Sequence, residues 1–366
     1  MRRHLWILML IGAVLSACGG APATTAPTAP TSAPAPTAAP TTAPAPTTMP
    51  TAMAMAPTAA PTAAPVASYP VTIQNCGKTL TFTKAPERVL VTYQNVAEIL
   101  VKLGLKDKIV GVTYGQAYPA PADMKAEVDG LNYLSPPRKG SAAKEVELST
   151  QPDLVIAAYP TYDFDPAQGV ATQDDFRAAG AQIYGVSAEC EKSVPNGTIT
   201  TVYNDILNFG AIFGVKEHSQ AVVKEMQDRI TAVQARVAKL PPVTVAFYDA
   251  GEDQLGFYGS GLNSDMIALA GGANVFANQP DTYLQISKEA FAVKTPTIFA
   301  VLDYEGAPEV PNVSKRSEFL FTTFPNMPAS RDKRWVAVPG SAFAASIRIP
   351  DAIEAMAKAF HPEAFK

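Results

Sequence analysis

Histidine is nearly absent from this chain of 366 residues: three occur, at positions 4, 218 and 361. A zinc or manganese site of the usual kind gathers three or four histidine or acidic ligands. That form of bare-metal binding is therefore excluded, and any metal has to arrive already chelated. Cysteine is as rare, with three residues and no Cys-x-x-Cys pair, which removes a thioredoxin-like redox centre. There is no Gly-x-Ser-x-Gly, no Walker loop and no Gly-x-Gly-x-x-Gly. Gly259-Ser260-Gly261 reads as a turn, and no nucleophile–base pair supports catalysis. The formal charge of −4 is not that of a nucleic-acid binder, which carries a basic surplus.

Charge itself is missing from a long stretch. No Asp, Glu, Lys or Arg lies between Arg3 and Lys78. Residues 1–17 have two arginines, an apolar run too short to span a bilayer comfortably, and a small-residue approach to a cysteine, which is a secretory signal. Leu15-Ser16-Ala17-Cys18 resembles a bacterial lipobox, with Cys18 as the lipidated first residue. The protein is then expected outside the cytoplasm, held to a membrane by its lipid alone. Residues 18–67 are nearly all Ala, Pro and Thr and lack the bulky apolar surface that offsets ordering entropy. They read as a semi-extended stalk, partly polyproline II.

The remaining 299 residues are enough for two lobes. Short Val/Ile runs alternate with helical spacing, the pattern of a buried, mostly parallel sheet. Strands are expected at VLVTY after Arg88, at KIVGVTY, DLVIAAY and AQIYGVS, and again at VTVAFY and WVAVPG. The stretch Glu217–Leu240 has apolar residues every three or four positions and reads as one long helix. The expected organisation is an N-terminal α/β lobe at 68–214, a connecting helix at 215–242 and a C-terminal α/β lobe at 243–366. These are two Rossmann-like lobes behind a disordered stalk.

The two lobes echo each other. KEVELSTQPDLVIAAY at Lys144 and KEAFAVKTPTIFAVLDY at Lys288 both place Pro seven residues after Glu. Glu98-ILVKLG and Asp265-MIALAG both place Gly six residues after the acid. The segment GEDQLGFYGSGLN is an insertion in the second copy and looks like a hairpin.

Ligands of open parallel sheets bind at the carboxyl ends of the strands. Those ends carry Tyr93, Tyr114, Tyr159, Tyr248 and Tyr304, with Tyr118, Tyr162 and Tyr258 close by in sequence. Phenol rings offer a flat apolar face and a hydrogen-bonding tip, suited to a large, flat or partly aromatic ligand. Tyrosines are also common in strands for packing alone. Positive charge for an anionic ligand could come from Arg138-Lys139, Arg331, Arg334 or Arg348. Arg348 stands out because it lies in a loop after the last strand. Asp163 and Asp165 read as an acidic loop. Cys76 and Cys190, the two cysteines left after lipidation, most simply pair, with a catalytic thiol as the rival reading. The bond would close a loop of more than 100 residues, worth up to about 4–5 kcal/mol in the chain-entropy model.

APERVLVTYQNVAEILVKLGL followed by KIVGVTY, with ELSTQPDLVIAAY, ALAGGANVF, QISKEAFAVKTPTIF and IPDAIEAMAKAFHPEAF, resembles the periplasmic-binding domain of iron-siderophore and cobalamin ABC transporters. The resemblance covers nearly all of residues 70 to 366. It implies a bilobed class III fold with a rigid helical connector and a small closing motion. It also implies a binding protein, monomeric and without a cofactor, that passes its ligand to an ABC importer permease. Asn75-Cys76-Gly77 and Ala188-Glu189-Cys190 are similar to a subgroup that bridges these cysteines. In the family one glutamate per lobe docks on arginines of the permease; the matching positions are Glu145 and Glu289. A ferric siderophore is the first expectation for the ligand, with haem, cobalamin or a related cofactor precursor as the alternative. A hydrolase or chelatase on the same scaffold, or a surface sensor or adhesin, are the rivals from other classes.

Overall fold

Where apolar residues run unbroken for four or more positions, both faces of a strand are covered, and that is how the strands here are arranged. The computed structural model describes residues 68–190 and 197–366. The signal at 1–17, the lipidation of Cys18 and the stalk at 18–67 lie outside the described residues.

The chain enters through a hairpin, β1 (Val71–Asn75) and β2 (Lys78–Phe82), paired antiparallel. Its turn places Cys76 and Gly77 in the left-handed region, at φ 47° and 71°. Next come β3 (Val89–Val91), β4 (Ile109–Val112), β5 (Leu154–Ala157) and β6 (Gln182–Gly185). They form one sheet in the order β4-β3-β5-β6, with every pair parallel. Strand β5 is buried along its whole length, as expected for a parallel strand with helices on both sides.

Cys76 is bonded to Cys190, 114 residues away, which staples the hairpin to the loop after β6. The side chain of Asn75 adds two hydrogen bonds to Gly185, donating at 2.7 Å and accepting at 2.9 Å. Glycine is required there, because a Cβ on Gly185 would lie 2.8 Å from both the Cys76 sulfur and Pro160.

Helix Ile199–Phe213 leads through Gly214, in the left-handed conformation, into the long helix Lys216–Val237. The long helix buries Val222, Val223, Met226, Ile230, Val233 and Val237. The expected helix ran on to Leu240. The observed one stops at Val237, and Leu240 is exposed beyond it, because Pro241-Pro242 deny the last turn its donors. The two helices cross in close contact at Gly210, where a Cβ would lie 1.9 Å from Ser219 Oγ.

The second half holds β7 (Val243–Tyr248), β8 (Gln254–Tyr258), β9 (Gly272–Asn274), β10 (Tyr283–Ser287), β11 (Ile298–Asp303) and β12 (Trp335–Pro339). Their order is β10-β8-β7-β11-β12, with β9 also on β7. Strands β7, β11 and β12 run parallel. The insertion supplies β8, antiparallel to β7 and in turn to β10, so the expected hairpin is part of the main sheet. The final helix, Ile349–Phe360, closes the chain against the long helix with the ion pairs Arg229–Asp351 and Arg229–Glu354. The described residues pack as one compact unit. Among them no helix is long and apolar enough to cross a membrane.

Candidate ligand-binding site

Neighbouring parallel strands bring residues of equal rank beyond their ends side by side. The order β4-β3-β5 therefore sets Tyr114, Tyr93 and Tyr159 in a row. Ring centroids are 4.7 Å apart for Tyr93 and Tyr114 and 5.5 Å for Tyr93 and Tyr159. Tyr118 joins at 6.1 Å from Tyr93, held by Gln94, whose Oε1 accepts from the amides of Ala117 and Tyr118 at 3.0 Å each. Behind this row Asp163 cements the strand ends. It accepts from Thr92 Oγ1 at 2.6 Å and from the Tyr159 amide at 2.7 Å. Tyr162 points away and is 69% exposed.

The facing wall comes from the second sheet. Asp249, just past β7, accepts from the hydroxyls of Tyr304 at 2.5 Å and Tyr283 at 2.9 Å. Tyr258 lies 5.4 Å from Tyr283 and 4.8 Å from Phe343. Tyr159 and Tyr258 are close enough for one phenol to affect the ionisation of the other. Burial is the largest cause raising the pKa of Tyr93, Tyr114, Tyr118, Tyr159, Tyr258 and Tyr304. The wall is therefore one of neutral phenols.

Tyr248 departs from the expectation. Its neighbour Phe247 faces Tyr258 in the ladder, whereas Tyr248 pairs with Phe257. It turns into the separate core of Phe257, Phe291 and Phe299 beneath the sheet, with its hydroxyl on the Gly251 carbonyl at 2.7 Å. A strand's side chains alternate between faces, so only every second position can reach the seam.

Arg348 also differs from the expected free cation. Its Nε donates to Glu98 Oε2 at 2.8 Å and its Nη2 to Glu98 Oε1 and to the Pro119 carbonyl. Glu98 belongs to helix Gln94–Lys102 of the first half, so the pair joins the two lobes. Its side chains are 13% and 1% exposed. Burial raises the Glu98 pKa, while the Arg348 guanidinium pulls it down. Nearby, Asn95 Nδ2 donates to the Ala345 carbonyl across the same seam at 2.8 Å. Farther out, Arg138 donates to the carbonyls of Tyr304 and Glu305 at 3.0 and 2.9 Å. The walls touch at Gly340, where a Cβ would lie 2.8 Å from Tyr118 Cε1. Arg334 lies before β12, at the other end of the strand, and donates to the Ala359 and Phe360 carbonyls.

Glu145 and Glu289 occupy the second position of two short helices, Lys144–Ser149 and Lys288–Ala292, and both are exposed. Each helix precedes an inner parallel strand, β5 or β11. The sequence reading missed Asp249, Tyr283 and Glu98. An acid inside the otherwise apolar run NVAEILV was the available signal for Glu98. Among the described residues no group of three or more His, Cys, Asp or Glu could hold a metal ion.

The chain belongs to the periplasmic binding protein family, whose model matches residues 89–332. Proteins of this family bind solutes for transport and are not enzymes. Substrate-binding proteins of the family deliver their ligands to ABC importer permeases. A vitamin B12-binding protein of Vibrio parahaemolyticus is 26% identical over 221 residues, 60% of this chain and 72% of that protein. The ABC transporter substrate-binding lipoprotein YvrC of Bacillus subtilis is 23% identical over 305 residues, 81% of this chain and 88% of its own length. A solved structure from an Fe3+-hydroxamate transport system of Saccharomonospora viridis superposes with a TM-score of 0.67 at 21% identity, covering 80% of this chain and 99% of that one. The fold is thus the two-lobed α/β class.

Removing one half of a buried ion pair leaves the other uncompensated, at a cost of about 3–5 kcal/mol. Arg348→Met and Glu98→Met are each expected to lose that much in urea unfolding. The double variant is expected to recover most of it; additive losses would show that the pair does not act as a unit.

Four carboxyls, two buried (Glu147, Asp205) and two half-buried (Asp163, Glu189), have raised pKa values, with desolvation the first cause in each. Asp163 and Asp205 are at about 6, Glu147 and Glu189 at about 7. Between pH 4 and 7 the folded state holds protons that the unfolded state has released, so stability falls as pH rises through that window. For Asp163 alone the change is on the order of 3 kcal/mol. Thermal melting from pH 4 to 7 should show the decline, and Asp163→Asn should make it shallower by the share of that one group. A melting temperature independent of pH across the window would contradict the assignment.

Proposed function

We propose that this chain is an extracytoplasmic binding protein, anchored through Cys18, that captures a corrinoid between its lobes and presents it to an ABC importer. In this reading residues 1–17 are the signal and 18–67 the stalk, and the lobes at 68–214 and 243–366 hinge on the connecting helix at 215–242. The lipoprotein YvrC supports the anchor by similarity.

The observation that carries the ligand class is the character of the seam. Its walls are neutral phenols from both lobes, Arg348 is matched by Glu98, and Arg138 rests on neutral carbonyls. A corrinoid such as cyanocobalamin is large and flat, carries neutral amide arms and is neutral overall. Haem would bring two carboxylates, and of these two arginines only Arg138 has no carboxylate partner. The name of the Vibrio relative favours the same choice. A ferric siderophore, the class first expected from sequence, is the second reading in the form of a neutral ferric hydroxamate, favoured by the name of the Saccharomonospora structure.

Calorimetry is the direct test, because Trp335 begins β12 at the end away from the tyrosines. Cyanocobalamin is expected to saturate at one per chain, with haemin and ferric catecholates showing no saturation. Saturation by a ferric hydroxamate instead would replace the corrinoid reading.

Glu145 and Glu289 are proposed as the permease contacts. Two symmetric permease subunits offer the same basic pocket twice, and a pseudo-symmetric binder meets them with one anion per lobe. Glu145→Ala with Glu289→Ala should abolish uptake into cells that carry the importer while leaving ligand affinity unchanged. A loss of affinity would argue against docking.

A further inference from the structure

Two kinds of contact hold the seam together, and they differ in chemistry. At the base Glu98 and Arg348 form a forked ion pair between buried side chains. At the outer edge Arg138, flanked by exposed Pro136, Pro137 and Lys139, donates to neutral carbonyls, those of Tyr304 and Glu305. Glu305 could have offered its carboxylate, but that group is turned inward, accepting from the Ser341 amide at 2.7 Å and from Ser341 Oγ at 3.1 Å.

Both ends of the outer contact are preset. Arg138 and Glu305 have φ of 59° and 49°, a region that residues other than glycine seldom adopt. The loop bearing Arg138 is stiffened by Pro136-Pro137 and pressed on Gly115, where a Cβ would lie 1.9 Å from the Pro136 carbonyl oxygen. The guanidinium is near enough to Tyr93 and Tyr114 to lower their pKa values against the effect of burial. It is therefore within electrostatic reach of the tyrosine wall.

We propose that Arg138 is the specificity-determining latch of the binding seam: it bonds the Tyr304 and Glu305 carbonyls when the lobes are together and transfers its forked donors to carbonyl oxygens of a bound ligand. This rests on the corrinoid reading for the ligand, whose amide arms supply such oxygens, but not for the latch. A planar fork fits paired acceptors and an ammonium does not. Exchange of one neutral carbonyl pair for another strands no charge, whereas breaking the ion pair at the base would leave two charges uncompensated. The lobes thus part at the outer edge and stay joined at the base.

The test uses the full-length protein with Arg138→Ala and Arg138→Lys. Without ligand, hydrogen exchange is expected to speed up in the segments around Tyr114–Tyr118 and Tyr304–Gly306 in Arg138→Ala, and to stay unchanged around Asn95–Glu98. Dissociation of cyanocobalamin is expected to be about tenfold to a hundredfold faster than from the unsubstituted protein, with association no slower. Arg138→Lys should fail to restore slow dissociation. Unchanged exchange overturns the latch. Faster exchange with unchanged dissociation overturns the transfer to ligand. If the unsubstituted protein does not bind cyanocobalamin, the corrinoid reading and the transfer to its amides fall together, and the exchange result decides the latch alone.

Discussion

The carboxylate of Glu98 and the guanidinium of Arg348 meet across 250 residues of sequence, and the candidate site takes its shape from that contact. Gln94 donates to Glu98 Oε1 at 2.8 Å, and its own oxygen holds the amides of Ala117 and Tyr118. Arg348 donates to the Pro119 carbonyl at 2.9 Å. One network therefore fixes helix Gln94–Lys102, the loop that carries Tyr118, and the start of the final helix. Tyr118 in turn is the ring that touches Gly340 in the other lobe. Burying two charges is costly, and an apolar pair of equal volume could be as stable. What the ion pair adds is direction, since a fork on a carboxylate accepts few geometries. It sets which way the lobes face as well as that they touch.

Much of this was legible in the sequence, and the limits have physical causes. Strand ends were found because Val/Ile runs stop at polar residues, so Tyr93, Tyr114 and Tyr159 were placed together correctly from their rank alone. Tyr248 was not, because VTVAFY is apolar on both faces. Without alternation there is no parity to read, and nothing local says that Phe247 rather than Tyr248 faces the seam. Arg348 was placed in the right loop but given the wrong partner. A long-range ion pair leaves no local spacing to detect. The first hairpin is legible in VTIQNCGKTLTF, where Thr and apolar residues alternate around a Cys-Gly turn.

The repeated Lys-Glu-x6-Pro unit has a structural explanation that comes before any docking role. In both lobes it is the short helix that ends a crossover, followed by a proline and an inner parallel strand. Helix Lys288–Ala292 is capped by Ser287 Oγ on the Ala290 amide at 3.2 Å, and an acid in the first turn is favoured by the helix dipole. That accounts for an acid near each helix start. It does not account for both acids being exposed while the next acid, Glu147, is buried and accepts from the Ala171 amide at 2.8 Å. Stability alone would be served by either position. An exposed acid at the same place in each half is what a two-fold partner can use.

The seam shows a division of labour among its charges. Glu98, Asp249 and Glu305 are each turned to protein donors, and Arg138 and Arg348 to protein acceptors. Charges used in this way hold the walls in place, so selection of a ligand falls to phenol faces, hydroxyl groups, shape and the donors of the outer Arg138. Such a surface discriminates weakly by charge and strongly by size and flatness. The phenols anchored on Asp249 have their protons committed to it, which leaves Tyr283 and Tyr304 with lone pairs to offer. The second lobe is therefore biased toward accepting hydrogen bonds, and the outer arginine toward donating them. A ligand that meets both needs carries N–H and C=O together around a flat centre, which is the chemistry of an amide-fringed macrocycle.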